Sequence, residues 1–261
     1  MKRLAVFAVC AAIAFCGCGG KSSEESDSDT KEMLLYCGAG IRPPVDELAL
    51  SFERLHGVKI VIDYAGSEVL LSKIKLSRRG DLYMPGDRYY IEQAANAGTI
   101  LSQRAVCCFV PTILVQKGNP RNIRGLKDLL RSGLKIGFGD PNACAVGRKT
   151  VEVLAKNNIA WADIEKNVAF LSMTVNELGM QIQARSLDAV VVWDAVARYY
   201  ADYGDEVPIA AENNVISTVD IGVLAFTKSR PLAERFLEFA ASEQGRAIFK
   251  KHFYRVEPPQ F

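Results

Sequence analysis

Short apolar segments alternate with helical patterns along almost the whole chain, from residue 33 to residue 253. Runs such as "VKIVIDY" and "DAVVVWD" are typical of buried strands, whereas "VDELALSFERLHG" places apolar residues at helical spacing. Strands that alternate with helices predict an α/β fold with largely parallel sheets. A folded body of about 229 residues is long enough for one large domain or two smaller ones.

The ends of the predicted strands are where this architecture places ligands. In open α/β sheets, ligands bind beyond the carboxyl ends of strands and close to helix N-termini. Three of four such ends carry Gly, Ala or Ser, which let the backbone approach a ligand closely. The four ends are "YCGAGIRPP", "YAGSEVLL", "FGDPNACAVG" and "VVVWDA".

The third of these segments continues into a helix as "GDPNACAVGRKTVEVL". We expect Val146, Val151, Leu154 and Ala155 to form the apolar face of that helix. No acidic residue lies close to its first turn, although a helix N-terminus exposes N–H groups and favours a negative charge. Two interpretations follow. Either a local acceptor, Asn142 or Asp140, caps the helix, or the loop receives an anion from outside.

The first residues of the chain indicate export. Lys2 and Arg3 precede an apolar run of twelve residues, which is typical of a signal peptide and too short to span a membrane. The run ends in "FCGC", which is similar to a bacterial lipoprotein signal, with Cys18 as the lipidated residue. We therefore predict a signal peptide over residues 1–17 and a flexible tether, rich in Ser, Gly and acidic residues, over 18–32. An ordinary cleaved signal peptide is the alternative.

Charge and cysteine content exclude several partners. Without Lys2 and Arg3 the chain has 30 basic and 30 acidic residues, and a neutral body argues against nucleic acid. The four cysteines beyond Cys18 show neither CxxC nor zinc-ligand spacing, so we expect no bare metal cation and no disulfide framework. Those cysteines are Cys37, Cys107, Cys108 and Cys144.

An enzyme is the less favoured class. Cys37 and Cys144 are the strongest candidate nucleophiles, but a nucleophilic cysteine needs a general base. His56 and His252, the two histidines, do not follow predicted strands. The sequence contains no GxSxG, Walker or HExxH motif. The acidic candidates are Asp81, Asp87, Asp140 and Asp194, of which Asp81 and Asp87 are better interpreted as turn and cap residues.

The order of these segments resembles the periplasmic molybdate-binding proteins, a branch of the type II solute-binding proteins. The segments that carry the resemblance are "KIGFGDPNACAVGRKTVEVL", "GDLYMPGD" and the closing "GRAIFKKHF". It implies a two-lobed α/β fold, with lobe one over residues 33–111 and 219–261 and lobe two over 112–218. It also implies a monomer that binds molybdate or tungstate between the lobes, uses no cofactor, catalyses nothing, and delivers the anion to an ABC transporter permease.

The resemblance further implies which residues hold the anion. Ala145 and Val146 would donate backbone N–H groups, and Val175 would donate another. Ser67 would donate its hydroxyl. The family's tyrosine late in lobe two corresponds to Trp193, whose indole N–H can only donate a hydrogen bond.

This chain departs from the family pattern at several positions near the predicted site. The serine usual in the first loop is replaced by Gly40, which leaves the backbone N–H groups of Ala39 and Gly40 as donors. Arg42 follows as a candidate charged partner, or else as a surface residue at a helix start. Glu68 and Asp194 stand beside predicted contacts, where a carboxylate would oppose an anion unless it turns away.

Three alternative functions follow from these departures. A sulfate-like oxyanion is the first. A soft metal or metalloid held by Cys37 and Cys144 is the second, although both cysteines are better interpreted as small half-buried residues. The third is a ligand-sensing lipoprotein that keeps the fold without a role in transport.

Overall fold

The computed structural model describes residues 31–258. The predicted signal peptide, Cys18 and the tether up to residue 30 lie outside the described residues. The first strand begins at Lys31, two residues before the predicted start of the folded body. Within residues 31–258 there is no helix both long and apolar enough to cross a membrane.

The described residues form two five-stranded sheets. The first has the strand order β2-β1-β3-β10-β4, and the second has the order β7-β6-β8-β5-β9. The strands are β1 Lys31–Gly38, β2 Val58–Ala65, β3 Leu82–Met84, β4 Ile100–Phe109, β5 Pro111–Gln116, β6 Ile136–Gly139, β7 Val168–Ser172, β8 Ala189–Trp193, β9 Gly204–Pro208 and β10 Ser217–Leu224.

Each sheet contains one reversed strand, so the prediction of largely parallel sheets is wrong for β5 and β10. β1 is parallel to β2 and β3, and β6 is parallel to β7 and β8. β10 is antiparallel to both of its neighbours, as is β5. The physical reason is the connection between the sheets. β4 ends at the cleft and the chain crosses at Val110. β5 must therefore start at the cleft edge, where the parallel strands β6 and β8 end.

Helices cover both sheets, as predicted for an α/β fold. They are α1 Arg42–His56, α2 Ser67–Ser77, α3 Arg88–Asn96, α4 Ala145–Lys156, α5 Trp161–Ile164, α6 Val175–Gln183, α7 Asp194–Tyr199, α8 Arg230–Ala241 and α9 Glu243–Lys251. Short 3₁₀ turns occur at Ala39–Ile41, Leu126–Leu130, Glu165–Asn167 and Ala211–Asn213.

Some local predictions need correction. The segment "LKDLLRSG" forms a 3₁₀ turn, because Gly125 and Gly133 bound it too closely for a stable α-helix. On α4, Val151 is 37% exposed and Ala155 is also exposed. The buried face of α4 instead includes Val153 and Leu154, together with Val146 near its N-terminus.

The chain passes between the two sheets twice, which gives the molecule its two lobes. The first lobe contains the first sheet with α1, α2, α3, α8 and α9, and the second lobe contains the second sheet with α4 to α7. The apolar core of the first lobe continues across the interface, since Val175 and Trp193 belong to the same buried cluster as Leu35 and Phe109. The far face of the second sheet has a separate buried cluster.

Candidate functional site

A small cavity lies between the lobes, at the carboxyl ends of the parallel strands. It encloses about 20 Å³, which is little more than the space of one or two water molecules. Both lobes contribute to its wall. The lining residues are Gly38, Ala39, Gly40, Ala65, Gly66, Ser67, Gly86, Phe109, Cys144, Ala145, Val146, Thr174, Val175 and Trp193.

Seven of the eight residues that the sequence predicted for the ligand site line this cavity. They are Ala39, Gly40, Ser67, Ala145, Val146, Val175 and Trp193. The structure does not bring Arg42 to the cavity. Its guanidinium lies 3.9 Å from the centre of the Tyr64 ring, and its side chain is exposed to solvent.

The first loop of the site leaves β1 and turns at once into Ala39–Ile41. Gly40 allows close packing here, because a Cβ at this position would lie 2.6 Å from Val175 Cγ1 and 3.3 Å from Trp193 Cδ1. The serine that is usual in the resembled family would not fit at this distance without a shift of Val175. Glycine at position 40 therefore removes the hydroxyl of the family's serine and also makes room for Val175 and Trp193 of the opposite lobe.

Ser67 begins α2 and is 3% exposed. Its hydroxyl oxygen accepts a hydrogen bond from the Gly86 N–H at 3.0 Å, so the hydroxyl hydrogen is left to donate. No acceptor for that hydrogen is found among residues 31–258. Gly86 itself follows β3 and lines the same cavity.

The loop before α4 answers the question of its cap. Cys144 occupies the N-cap position in extended geometry, and no side chain in the described chain caps the helix. Asp140 Oδ1 accepts instead from the Asn142 N–H at 2.8 Å, which turns the carboxylate to its own loop. The interpretation that Asn142 or Asp140 caps α4 is therefore wrong. The N–H groups of Ala145 and Val146 make no hydrogen bond to another loop of residues 31–258.

The last part of the wall comes from α6 and β8. α6 begins at Val175 and likewise lacks a side-chain cap among the described residues. Trp193 ends β8, is 2% exposed, and stacks on Phe109 with ring centroids 4.7 Å apart and planes inclined by 8°. No hydrogen bond from its indole N–H to another residue is found within residues 31–258, and the residue lines the cavity. An indole N–H at a cavity wall can donate to a ligand there.

The chemistry of the cavity is therefore one of neutral donors. It offers an indole N–H, a serine hydroxyl and uncapped helix N-termini from both lobes. None of the described lining residues carries a charge. Such a site suits a small anion, because helix N-termini and backbone N–H groups stabilise negative charge.

The two acidic residues near the site both turn away from it. Glu68 contributes its backbone N–H to the second lobe, donating to Ala143 O at 3.1 Å, and its side chain does not line the cavity. Asp194 Oδ2 accepts from Arg255 Nε at 2.8 Å, and its Oδ1 accepts from the N–H of Val110 at 3.3 Å. The carboxylate of Asp194 thus binds the chain at Val110, where it passes between the lobes, and does not oppose an anion.

The two cysteines at strand ends do not form a joint thiolate site. Cys144 lines the cavity, whereas Cys37 is fully buried in the core of the first lobe. Burial raises the pKa of the Cys37 thiol well above its ordinary value and raises that of Cys144 to about 12. Both thiols are protonated at neutral pH, whereas a metal would need a thiolate. No cluster of three potential metal ligands occurs within residues 31–258.

A buried ion-pair cluster joins the lobes beside the cavity. Asp87 caps α3 by accepting from the Tyr89 N–H at 2.9 Å, as its predicted role as a cap residue requires. The same carboxylate accepts from Arg148 Nη2 at 2.8 Å and from Lys149 Nζ at 3.0 Å, both on α4 of the second lobe. Burial would raise the pKa of Asp87, but Lys149 and the hydroxyl of Ser217 outweigh it and hold that pKa below its ordinary value.

Comparison with known proteins places the chain in a family. The family model described as bacterial extracellular solute-binding protein matches residues 33–255. The chain belongs to this family. Among curated relatives of this solute-binding protein, a Haemophilus influenzae protein provisionally named a binding protein is 26% identical and aligns with 84% of this chain and 88% of its own. The molybdate-binding protein ModA of Mycobacterium tuberculosis is 21% identical, with 88% of each chain covered.

Solved structures agree on the two-lobed fold of this solute-binding protein. The molybdate-binding protein of Azotobacter vinelandii superimposes with a TM-score of 0.74 at 18% identity, covering 87% of this chain and all of its own. The sulfate-binding protein SubI of Mycobacterium tuberculosis superimposes with a TM-score of 0.77 at 18% identity. The match covers 87% of this chain and 88% of SubI. The fructose-6-phosphate-bound protein AfuA of Actinobacillus pleuropneumoniae superimposes with a TM-score of 0.76 at 14% sequence identity. The match covers 87% of this chain and 85% of AfuA. The predicted type II fold is confirmed.

Several residues of the cavity were missed from the sequence. Gly86, Phe109 and Thr174 line it although none belongs to a predicted ligand set. Gly86 and Thr174 immediately follow or precede regular elements, as the predicted residues do, and their positions could have been inferred from strand ends. The position of Phe109 could not be inferred in this way, because it depends on the stacking of its ring on Trp193, which belongs to the other sheet.

Proposed function

We propose that this solute-binding protein holds a tetrahedral oxyanion, molybdate or tungstate first, in the cavity between its lobes and delivers it to an ABC importer. The observation that carries the proposal is the neutral cavity with donors from both lobes, in which the N–H of Trp193 and the hydroxyl hydrogen of Ser67 have no acceptor among the described residues. The likeness to molybdate-binding relatives supports the choice of anion.

The proton content of the anion separates the candidate ligands. None of the described residues that line the cavity is a carboxylate, the strongest acceptor for the proton of a protonated oxyanion, so the lining favours an oxyanion without a proton. Molybdate, tungstate and sulfate carry no proton at neutral pH, whereas phosphate and arsenate do. Sulfate is therefore the second candidate, and the sulfate-binding neighbour supports it.

The size of the cavity argues against ligands with an organic group. The small space of about 20 Å³ between the touching lobes favours a compact oxyanion over one that carries a sugar. A soft metal or metalloid is disfavoured by the two protonated and separated thiols. A role as a ligand sensor would use the same site and differ only in its partner protein.

A thermal-shift screen with molybdate, tungstate, sulfate, phosphate, arsenate, arsenite and Cu²⁺ tests the proposal. Binding stabilises the fold by mass action, by about 4 kcal/mol at a thousandfold excess over the dissociation constant. We expect molybdate and tungstate to give the largest shifts, and calorimetric titration should confirm a single site. A response to arsenite or Cu²⁺ alone would falsify the oxyanion proposal.

We also propose that Cys18 carries a lipid and tethers the protein to the outer face of a membrane, where it acts as a monomer without catalysis. Bacillus subtilis YvgL, provisionally named a substrate-binding lipoprotein of an ABC transporter, supports this; it is 22% identical and aligns over 98% of this chain. Metabolic labelling with a fatty-acid probe should label the wild type and fail with Cys18→Ser. Persistent labelling of the variant would contradict the assignment.

A further inference from the structure

The loop Ala39–Ile41 lies between two cavities. One face of it lines the ligand cavity described above. The other face lines a second cavity of about 160 Å³, the rear cavity, whose wall includes Gly40, Asn176, Tyr200 and Tyr254. The orientation of the peptide groups in this loop therefore decides which polar atoms each cavity receives.

Two side chains reinforce the orientation of the loop carbonyls on the rear side. Ala39 O accepts from the Arg42 N–H within the 3₁₀ turn, and Asn176 Nδ2 donates to the same oxygen at 3.0 Å. The Tyr254 hydroxyl donates to Gly40 O at 2.5 Å, and Tyr254 is 2% exposed. Because both donors line the rear cavity, both carbonyl oxygens are directed towards it.

Peptide geometry then fixes what the ligand cavity receives. In a trans peptide the C=O and N–H bonds point in opposite directions. With the carbonyl of Ala39 held at the rear, the N–H of Gly40, which lines the ligand cavity, points to the opposite side of the loop, and the bond to the Gly40 carbonyl fixes the next peptide of the same turn. A carbonyl oxygen on that side would repel an anion, so its exclusion matters as much as the presence of the N–H groups.

The two contacts differ in one respect. Tyr254 belongs to the segment after α9 and contacts the first lobe, whatever the position of the second. Asn176 lies on α6 of the second lobe, directly after Val175, so its bond to Ala39 crosses the interface. The Asn176 bond can form only while the lobes are in contact.

We propose that Asn176 and Tyr254 are positioning residues that keep loop 39–41 in its donating orientation, and that Asn176 does so only on closure. The inference rests on the proposed function, since it names residues that act on the same anion site through the loop. It predicts an effect that is equal for every oxyanion that binds, because neither side chain touches the ligand.

The test compares Asn176→Ala, Asn176→Asp and Tyr254→Phe with the control Tyr200→Phe. Asn176→Asp keeps the shape of the side chain and removes its donor. The control removes a hydroxyl of the same rear cavity that bonds to Asn176 O within the second lobe. Titrations with molybdate, tungstate and sulfate, stopped-flow dissociation rates and ligand-free melting temperatures are measured for each variant.

We expect Asn176→Ala and Tyr254→Phe to weaken binding about three- to tenfold, the effect of one hydrogen bond, by the same factor for each anion. Asn176→Asp should weaken binding further, because its carboxylate also faces the Ala39 carbonyl. For Asn176 the loss should lie in faster dissociation, with an unchanged ligand-free melting temperature. Affinity changes no larger than that of Tyr200→Phe, or a loss confined to one anion, overturn the inference.

Crystal structures of wild type and Asn176→Ala separate this inference from the proposed function. If the wild type binds no oxyanion, the proposed function fails, and the orientation of the Ala39 carbonyl still judges the positioning role. A carbonyl turned towards the ligand cavity in Asn176→Ala supports it. A carbonyl that remains directed to the rear cavity in that variant overturns it.

Discussion

At the scale of single residues, Trp193 is the side chain whose chemistry is least explained by packing. Its ring stacks on Phe109, whereas its N–H makes no hydrogen bond within residues 31–258 and the residue lines the cavity. A hydrogen bond from this N–H to a bound anion would be worth about 1.5–3 kcal/mol. The donor-only character of tryptophan also matches an anion without a proton.

Trp193→Phe should weaken oxyanion binding about ten- to hundredfold, because it keeps an aromatic ring on Phe109 and removes a hydrogen bond to a charged ligand, worth about 1.5–3 kcal/mol. Calorimetric titration measures the loss. The chain has two tryptophans, so intrinsic fluorescence gives a second measurement. The ligand-induced fluorescence change should disappear in Trp193→Phe.

Trp161→Phe is the matched control for this prediction. Trp161 contacts Phe138 at a centroid distance of 5.8 Å and lines a different surface cavity on the second lobe. Its removal should leave both the affinity and the fluorescence change intact. Equal affinity of Trp193→Phe and wild type would show that the indole is a packing residue alone.

At the scale of elements, the sequence predicted the strand–helix order and most of the cavity because both depend on local patterns. Apolar runs and helix starts are visible in a single segment, so Ser67 and Ala145 could be placed at strand ends, whereas Val175 was expected only from the family resemblance. The reversed strands β5 and β10 could not, because direction is set by how two lobes connect. Nor could the pairing of Asp87 with Lys149, which lie 62 positions apart and meet only across the interface.

The first turn of α4 allows the backbone donor to be tested directly. Ala145→Pro removes one N–H from the cavity wall, and proline is well tolerated at the first position of a helix. The preceding residue, Cys144, has φ −134° and ψ 152°, which is compatible with a following proline. We expect a folded protein that binds about ten- to hundredfold more weakly in calorimetric titration.

Ala145→Gly serves as the control, because it keeps the N–H and removes only the methyl group. It should bind within a few-fold of wild type, with a small loss of stability from the glycine. If folded Ala145→Pro binds as tightly as wild type, the start of α4 does not hold the anion.

The Asp87 cluster makes a prediction about pH. A carboxyl whose pKa is lowered on folding stabilises the protein fully above its unfolded pKa of about 3.9, and that contribution is lost as pH falls towards the folded pKa. Asp87→Asn should therefore destabilise the protein at pH 7 by about 1–3 kcal/mol, since Arg148 and Lys149 lose this carboxylate and keep Glu152 as a partner. Below pH 4 the difference from wild type should shrink.

Urea unfolding of both proteins between pH 7 and pH 3 measures this effect. Asp128→Asn, which alters a pair with Arg131 that is 45% exposed on the arginine side, is the control and should change stability by less than about 1 kcal/mol. A destabilisation by Asp87→Asn that is equal at pH 7 and pH 3 would show that the ionised carboxylate is not the source.

At the scale of the whole molecule, closure brings backbone of the two lobes into direct contact beside the cavity. Gly66 lies at the centre of this contact, where a Cβ would stand 2.6 Å from both Ala143 O and Met173 O of the second lobe. Backbone oxygens on a helix start and a strand end cannot move aside as a flexible side chain can. The lobes can therefore meet in this arrangement only if residue 66 has no side chain.

Gly66→Ala tests whether ligand binding requires that contact. Gly66 has φ −64° and ψ 148°, which alanine adopts freely, so the first lobe should fold unchanged and the ligand-free melting temperature should stay within a few degrees. Closure, however, should be blocked by the two carbonyls, and we expect affinity for the oxyanion to fall by at least a hundredfold in calorimetric titration.

Gly125→Ala is the control, because Gly125 has φ 173° and no atom within 4 Å of an added Cβ. Small-angle scattering should show that ligand compacts the wild type and the control but not Gly66→Ala. If Gly66→Ala binds and compacts like wild type, the closed contact at Ala143 and Met173 is not part of the bound state, and the donors of the two lobes do not act on one ligand.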